Sequence, residues 1–160
     1  MPEQKQFTEF DNTLLPWLGR TMKLVDLYIG NHFQEQDIDL TKVQMIMLVR
    51  LFFNDGQPQN DLALLTNRDK ASLARLLDTM ERKGLVVRVP SKEDKRIKLV
   101  HITKRGIELY ESVRPLIKQM ILKVQHGISE KDVQFTIKIL KQLQLNIGIE
   151  GTVAIQTNQG

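Results

Sequence analysis

Apolar residues recur at helical intervals along most of the chain. Leu14, Trp17, Leu18, Leu24, Val25 and Tyr28 predict a long amphipathic helix over about residues 13–34, with Pro16 near the first turn, where proline is tolerated. Thr41 followed by Gln44 reads as a capping box opening a second helix. That helix carries Val43, Ile46, Met47, Leu48, Val49, Leu51 and Phe52 around most of its circumference, which marks a buried element ended by the turn signal Asn54, Asp55, Gly56. Pro58 is expected to open a short third helix containing Leu62, Ala63, Leu64 and Leu65 and closed by Thr66 and Asn67. Asp69 caps a fourth, in which Leu73, Leu76, Leu77 and Met80 keep the i, i+3, i+4, i+7 rule and Gly84 ends the run. Its opposite face carries Ala71, Ser72, Arg75, Asp78, Thr79 and Arg82.

After Gly84 the period changes. Residues 85–89 and 97–102 are rich in β-branched residues and predict a two-stranded hairpin, joined by the charged loop Ser91, Lys92, Glu93, Asp94, Lys95, Arg96. That loop is longer than a tight turn requires. Thr103 caps a fifth helix with Ile107, Tyr110, Ile117, Ile121 and Val124 on one side, and Pro115 is expected to kink or break it. Gly127 stops it. Ser129 with Asp132 forms another capping box, and Val133, Ile137, Leu140 and Leu143 stripe a sixth helix, followed by a loosely ordered tail over residues 147–160. The fold class is mainly α with a small β-hairpin (α+β).

Composition narrows the chemistry. At 160 residues, 41% hydrophobic, the chain is one folded domain, and the absence of cysteine excludes disulfides, thiolate metal sites and thiol redox chemistry. No apolar run reaches the roughly 18 residues of a membrane helix and no secretory signal opens the chain, so a cytoplasmic location is expected and no membrane partner. Net charge is +4, but its placement matters more: residues 68–105 hold 12 Lys+Arg against 5 Asp+Glu, while residues 1–67 hold 5 against 9. The basic segment coincides with the fourth helix and the hairpin, the footprint of a polyanion-binding surface. Phosphates line both edges of a DNA groove, and each one neutralised releases condensed counterions. A helix fits the major groove, and a basic hairpin tip reaches the minor groove beside it.

Helix, short helix, polar-faced helix and basic hairpin follow the order of a winged helix-turn-helix. The ordered set of Leu40, Thr41 and Gln44; Asp61, Leu62 and Ala63; Leu73 to Asp78; Glu81 to Val86; Glu93 to Arg96; Leu99, Val100, Ile102 and Thr103; then Gly106 resembles the MarR family of bacterial transcriptional regulators over about residues 12–146. The resemblance implies a homodimer on double-stranded DNA, with dimerisation helices in 1–34 and 104–146 and a DNA-binding region in 40–103. It also implies that Asp94 braces the wing through a salt bridge while Lys95 or Arg96 enters the minor groove. Many relatives carry arginine at both basic positions, so Lys95 is a departure, and Arg96, with its planar fork, is favoured for the sharper contact.

Ser72, Arg75 and Thr79 are the base-reading candidates, and Lys70, Arg82, Lys92 and Lys98 the phosphate contacts. A plainer reading leaves Arg75 and Arg82 solvated or paired with Asp78 and Glu81. Trp17 and Tyr110 pack at a helical interface or, alternatively, line a pocket for a small aromatic or anionic effector. His32, His101 and His126 lack metal-pair spacing, and no nucleophile, phosphate loop or cofactor motif is present, so neither enzyme, metal nor cofactor is expected. Two alternatives to a sequence-specific repressor remain: a winged-helix protein-interaction module and a non-specific architectural DNA binder.

Overall fold

The computed structural model describes residues 10–66 and 68–148; residues 1–9, Asn67 and the tail from residue 149 lie outside the described residues. The chain divides into two compact units between Lys42 and Val43.

The first unit holds α1 (Leu14–Glu35). Thr13 precedes it in extended geometry, its hydroxyl turned back to the Phe10 carbonyl rather than onto the helix. The helix ends at a reversal in which Asp37 takes φ 52° and the Ile38 amide returns to the Phe33 carbonyl. Phe33 alone in α1 is buried; Leu14, Leu15, Trp17, Met22, Leu24 and Leu27 are exposed.

The second unit runs α2 (Lys42–Phe53), β1 (Gln57–Pro58), α3 (Gln59–Leu65), α4 (Lys70–Arg82), β2 (Val86–Pro90), β3 (Lys98–Ile102), α5 (Lys104–Val124) and α6 (Glu130–Ile147). Met47, Leu48 and Leu51 of α2, Leu62 of α3, Leu73, Leu77 and Met80 of α4, then Leu85 and Val100, are fully buried. They form the core that orients α4.

The sheet has three antiparallel strands in the order β1-β3-β2, not two. Gln57 pairs with Val100 and Pro58 with Leu99, so Pro58 ends an edge strand and the third helix starts one residue later than its sequence suggests. An edge position tolerates proline because it asks for no ladder donor. The hairpin register runs from Val86 opposite Ile102 to Pro90 opposite Lys98.

Two glycines are required at the junction of α4, β2 and α5. Gly84 takes φ +68° while its own amide and that of Leu85 close the end of α4 onto the Glu81 and Met80 carbonyls. A Cβ at Gly106 would lie 2.3 Å from the Leu85 carbonyl oxygen, so only glycine lets α5 approach the start of β2. Thr103 fixes the same corner, donating to the Gly84 carbonyl and capping the Gly106 amide.

α5 runs through Pro115 without a break. Ser129 caps α6 through the Asp132 amide, and Gly148 ends it in the left-handed region. No residue of α6 is buried, and Ile121, Leu122, Val124, Ile128, Phe135, Ile137, Leu145 and Ile147 leave apolar surface exposed along the end of α5 and the length of α6. Among the described residues no helix is long and apolar enough to cross a membrane.

Candidate nucleic-acid interface

The buried stripe of α4 turns its polar stripe outward. Asp69 caps the helix: Oδ1 accepts the Ser72 amide at 2.8 Å and Oδ2 the Ser72 hydroxyl at 2.7 Å. These bonds hold the Asp69 carboxyl below the usual carboxylate range, the Ser72 hydroxyl being the largest cause. Arg75 lies over Ser72, donating to its Oγ at 3.3 Å, and Arg82 lies over Thr79 in the same way at 3.1 Å. Thr79 in turn donates to the Arg75 carbonyl at 3.0 Å. The stripe is therefore two guanidinium–hydroxyl pairs along one exposed face, and each hydroxyl orients an arginine.

Arg88, at the centre of β2, decides which charges on this face are free. Glu81 Oε1 accepts the Arg88 amide at 2.8 Å, and Glu81 Oε2 accepts Nε at 3.1 Å and a terminal guanidinium nitrogen at 2.5 Å. The same nitrogen is paired with Asp78. Arg88 holds the Glu81 carboxyl below its ordinary range, and its own guanidinium is shifted up, chiefly by Glu81. Asp78 and Glu81 do not pair with Arg75 and Arg82; among the described residues those two arginines and Lys70 form no ion pair. Gln59, Glu81, Arg88 and Lys98 line a polar cleft of about 310 Å³ beside this clamp.

At the wing tip, the Ser91 amide bonds the Ile97 carbonyl at 2.8 Å and the Ile97 amide bonds the Asp94 carbonyl at 2.9 Å. Asp94 Oδ1 accepts the Arg96 backbone amide at 2.9 Å, as a short acidic side chain does in a turn, and among the described residues it forms no salt bridge. Lys92, Lys95, Arg96 and Lys98 are exposed, without an ion-pair partner among the described residues.

Trp17 is exposed; its indole donates to the Asp11 carbonyl at 2.8 Å and the Arg20 guanidinium stacks over its ring. Tyr110 is buried against Phe52, ring centroids 4.5 Å apart, which is core packing within its own unit. His101, an ordinary strand histidine by sequence, places Nδ1 2.9 Å from Asp55 Oδ2. No group of three or more potential metal ligands occurs among the described residues.

Arg88 carried no sequence signal beyond a lone charge in an apolar strand. Its role depends on the strand crossing α4 at one particular height.

The family model described as the MarR family matches residues 40–98. The uncharacterized HTH-type transcriptional regulator YdgJ of Bacillus subtilis is 30% identical over 123 residues, which cover 77% of this chain and 74% of that protein. The chain belongs to the MarR family. It is a DNA-binding transcriptional regulator, not an enzyme. A second relative of the same class and organism, YybA, is 26% identical over 136 residues, 85% of this chain and 89% of that one. Solved MarR-type structures share the fold: a MarR protein from Peptoclostridium difficile has a TM-score of 0.78 at 21% identity, covering 92% of this chain and 95% of that one. The S. aureus MepR–DNA complex has a TM-score of 0.73 at 24% identity, covering 84% and 98%. The resemblance read from scattered motifs thus holds, and the hairpin gains a third strand.

Proposed function

We propose that this MarR-family chain acts in the cytoplasm as a homodimeric, sequence-specific repressor that covers a pseudo-palindromic operator and leaves it on binding a small molecule. The observation that carries the reading is the set of cations on α4 and the wing without carboxylate partners among the described residues, with Asp78 and Glu81 of α4 engaged by Arg88. Arg75, with Ser72 and Thr79 beside it, reads base edges in the major groove. Lys70, Arg82, Lys92 and Lys98 hold phosphates, and Arg96 or Lys95 enters the minor groove over a turn that Asp94 closes.

Exposed apolar surface on α1 and α6 supports pairing of two copies through residues 1–34 and 104–146, because monomers rarely leave such patches uncovered. A two-fold dimer reads half-sites about one helical turn, roughly 34 Å, apart. The S. aureus MepR structure, similar in fold, is a complex with DNA, which supports DNA as the partner here. For release, the family resemblance suggests a small aromatic or anionic effector, with Trp17 and Tyr110 the first residues to test.

The test is titration of the purified chain with the duplex upstream of its own gene and with a shuffled duplex, at two salt concentrations. A clear preference for the natural duplex, weakening steeply with salt, supports the reading. Equal affinity for both points to an architectural binder, and no binding points to a protein-interaction module. In vitro transcription from a bound promoter then gives the regulatory sign.

A further inference from the structure

We propose that Arg88 is a positioning residue for DNA recognition: it holds Asp78 and Glu81 away from the reading face and locks the wing strand to the reading helix. The inference rests on the DNA reading above, and three observations carry it.

The first is connectivity. Backbone amide and guanidinium of one β2 residue both close on Glu81 of α4, so the strand that leads to the wing tip cannot slide along the helix without breaking at least three hydrogen bonds. The side chain is only 22% exposed, which keeps these charge-assisted bonds partly out of water.

The second is charge. Asp78 stands three residues after Arg75 and four before Arg82, the two spacings at which helix side chains pair. Released from Arg88, its carboxylate would face one of those arginines and cancel a charge meant for DNA. Glu81 would add a second negative group near the phosphates.

The third is geometry. Nε and a terminal nitrogen act together on two carboxylates, a fork that the single ammonium of lysine does not offer. Arg88 thus acts through its partners and not by contact with a base.

The experiment measures affinity for the chain's own upstream duplex and for a shuffled duplex, with thermal unfolding of every variant. Arg88→Ala is expected to lose roughly tenfold in affinity for the natural duplex, a size common for residues coupled by contact. Adding Asp78→Asn and Glu81→Gln to Arg88→Ala is expected to recover the share of that loss due to the unmasked charges, while the share due to the loosened strand stays. The proposal is overturned if the loss persists in the triple variant and the salt slope falls by about one, the sign of a phosphate ligand. It is equally overturned if Arg88→Ala lowers the unfolding temperature but leaves affinity unchanged, which is a purely structural role. Should Arg88→Ala not fold, Arg88→Gln keeps hydrogen-bond donors without the charge and enters the same comparison. A wild-type chain with no preference between the duplexes fails the DNA reading before any variant is made, and this inference falls with it. With a wild type that discriminates, the variants bear on Arg88 alone.

Discussion

Asp55, in the turn after α2, is bonded to two adjacent residues of β3: Oδ2 lies 2.9 Å from the His101 side-chain Nδ1, and Oδ1 accepts the Ile102 backbone amide at 2.7 Å. One carboxylate thereby ties the end of α2 to the strand on which the wing is built. Gly56 beside it leaves room for the imidazole, since a Cβ there would come within 2.8 Å of the ring.

That tie predicts an acid-sensitive wing. Desolvation raises the Asp55 pKa, but the His101 ring bond and the Ile102 amide outweigh it, and the net shift is down. A carboxyl depressed on folding stabilises above its unfolded value, and the contribution is lost as pH falls through the folded value. Asp55→Asn should cost about 1 kcal/mol at neutral pH, below the usual range for a bond to a charged group because the side chain is 46% exposed. Urea unfolding across the acid range should show a flatter pH dependence in the variant; an unchanged slope would remove Asp55 from the linkage.

Arg75 and Arg82 should separate in kind. Arg75→Ala is expected to reduce discrimination between natural and shuffled duplexes by about 1–3 kcal/mol, the value of a good base contact. Arg82→Ala should instead weaken both duplexes alike and lower the salt slope by about one. Anisotropy titrations at several salt concentrations check both, and identical losses on both duplexes for Arg75→Ala would exclude direct reading there.

The wing has its own test. Charge reversal at Arg96, whose backbone amide is held by Asp94, should weaken natural-duplex binding while leaving the fold intact. Asp94→Ala should weaken it less, because it loosens one turn bond and removes no cation. Normal affinity in Arg96→Glu would take the wing out of recognition.

Phe135 is exposed on α6, a helix with no buried residue. The proposed dimer predicts that Phe135→Glu shifts sedimentation from dimer to monomer with little change in helix content by circular dichroism. A dimer of undiminished strength would place the interface elsewhere.

Gly106→Ala should destabilise by about 1–3 kcal/mol, because the added methyl meets the Leu85 carbonyl and one element must move. Chemical unfolding measures it directly.

Repeating patterns were legible in the sequence. Helical periodicity located α1, α2, α4, α5 and α6, and cap chemistry located Asp69, Thr103 and Ser129, since both depend on neighbours within a few residues. The clustering of cations between residues 68 and 105 is likewise a property of the chain alone. What tertiary structure decided were pairings across distance. A two-residue edge strand ending in proline has too few positions to show a period, so β1 emerged only when β3 lay alongside it. Above all, Asp78 and Glu81 had arginines nearby on their own helix, yet they pair with Arg88 across the fold. The partner of a surface charge is set by which strand packs against it, and no spacing along a chain encodes that height.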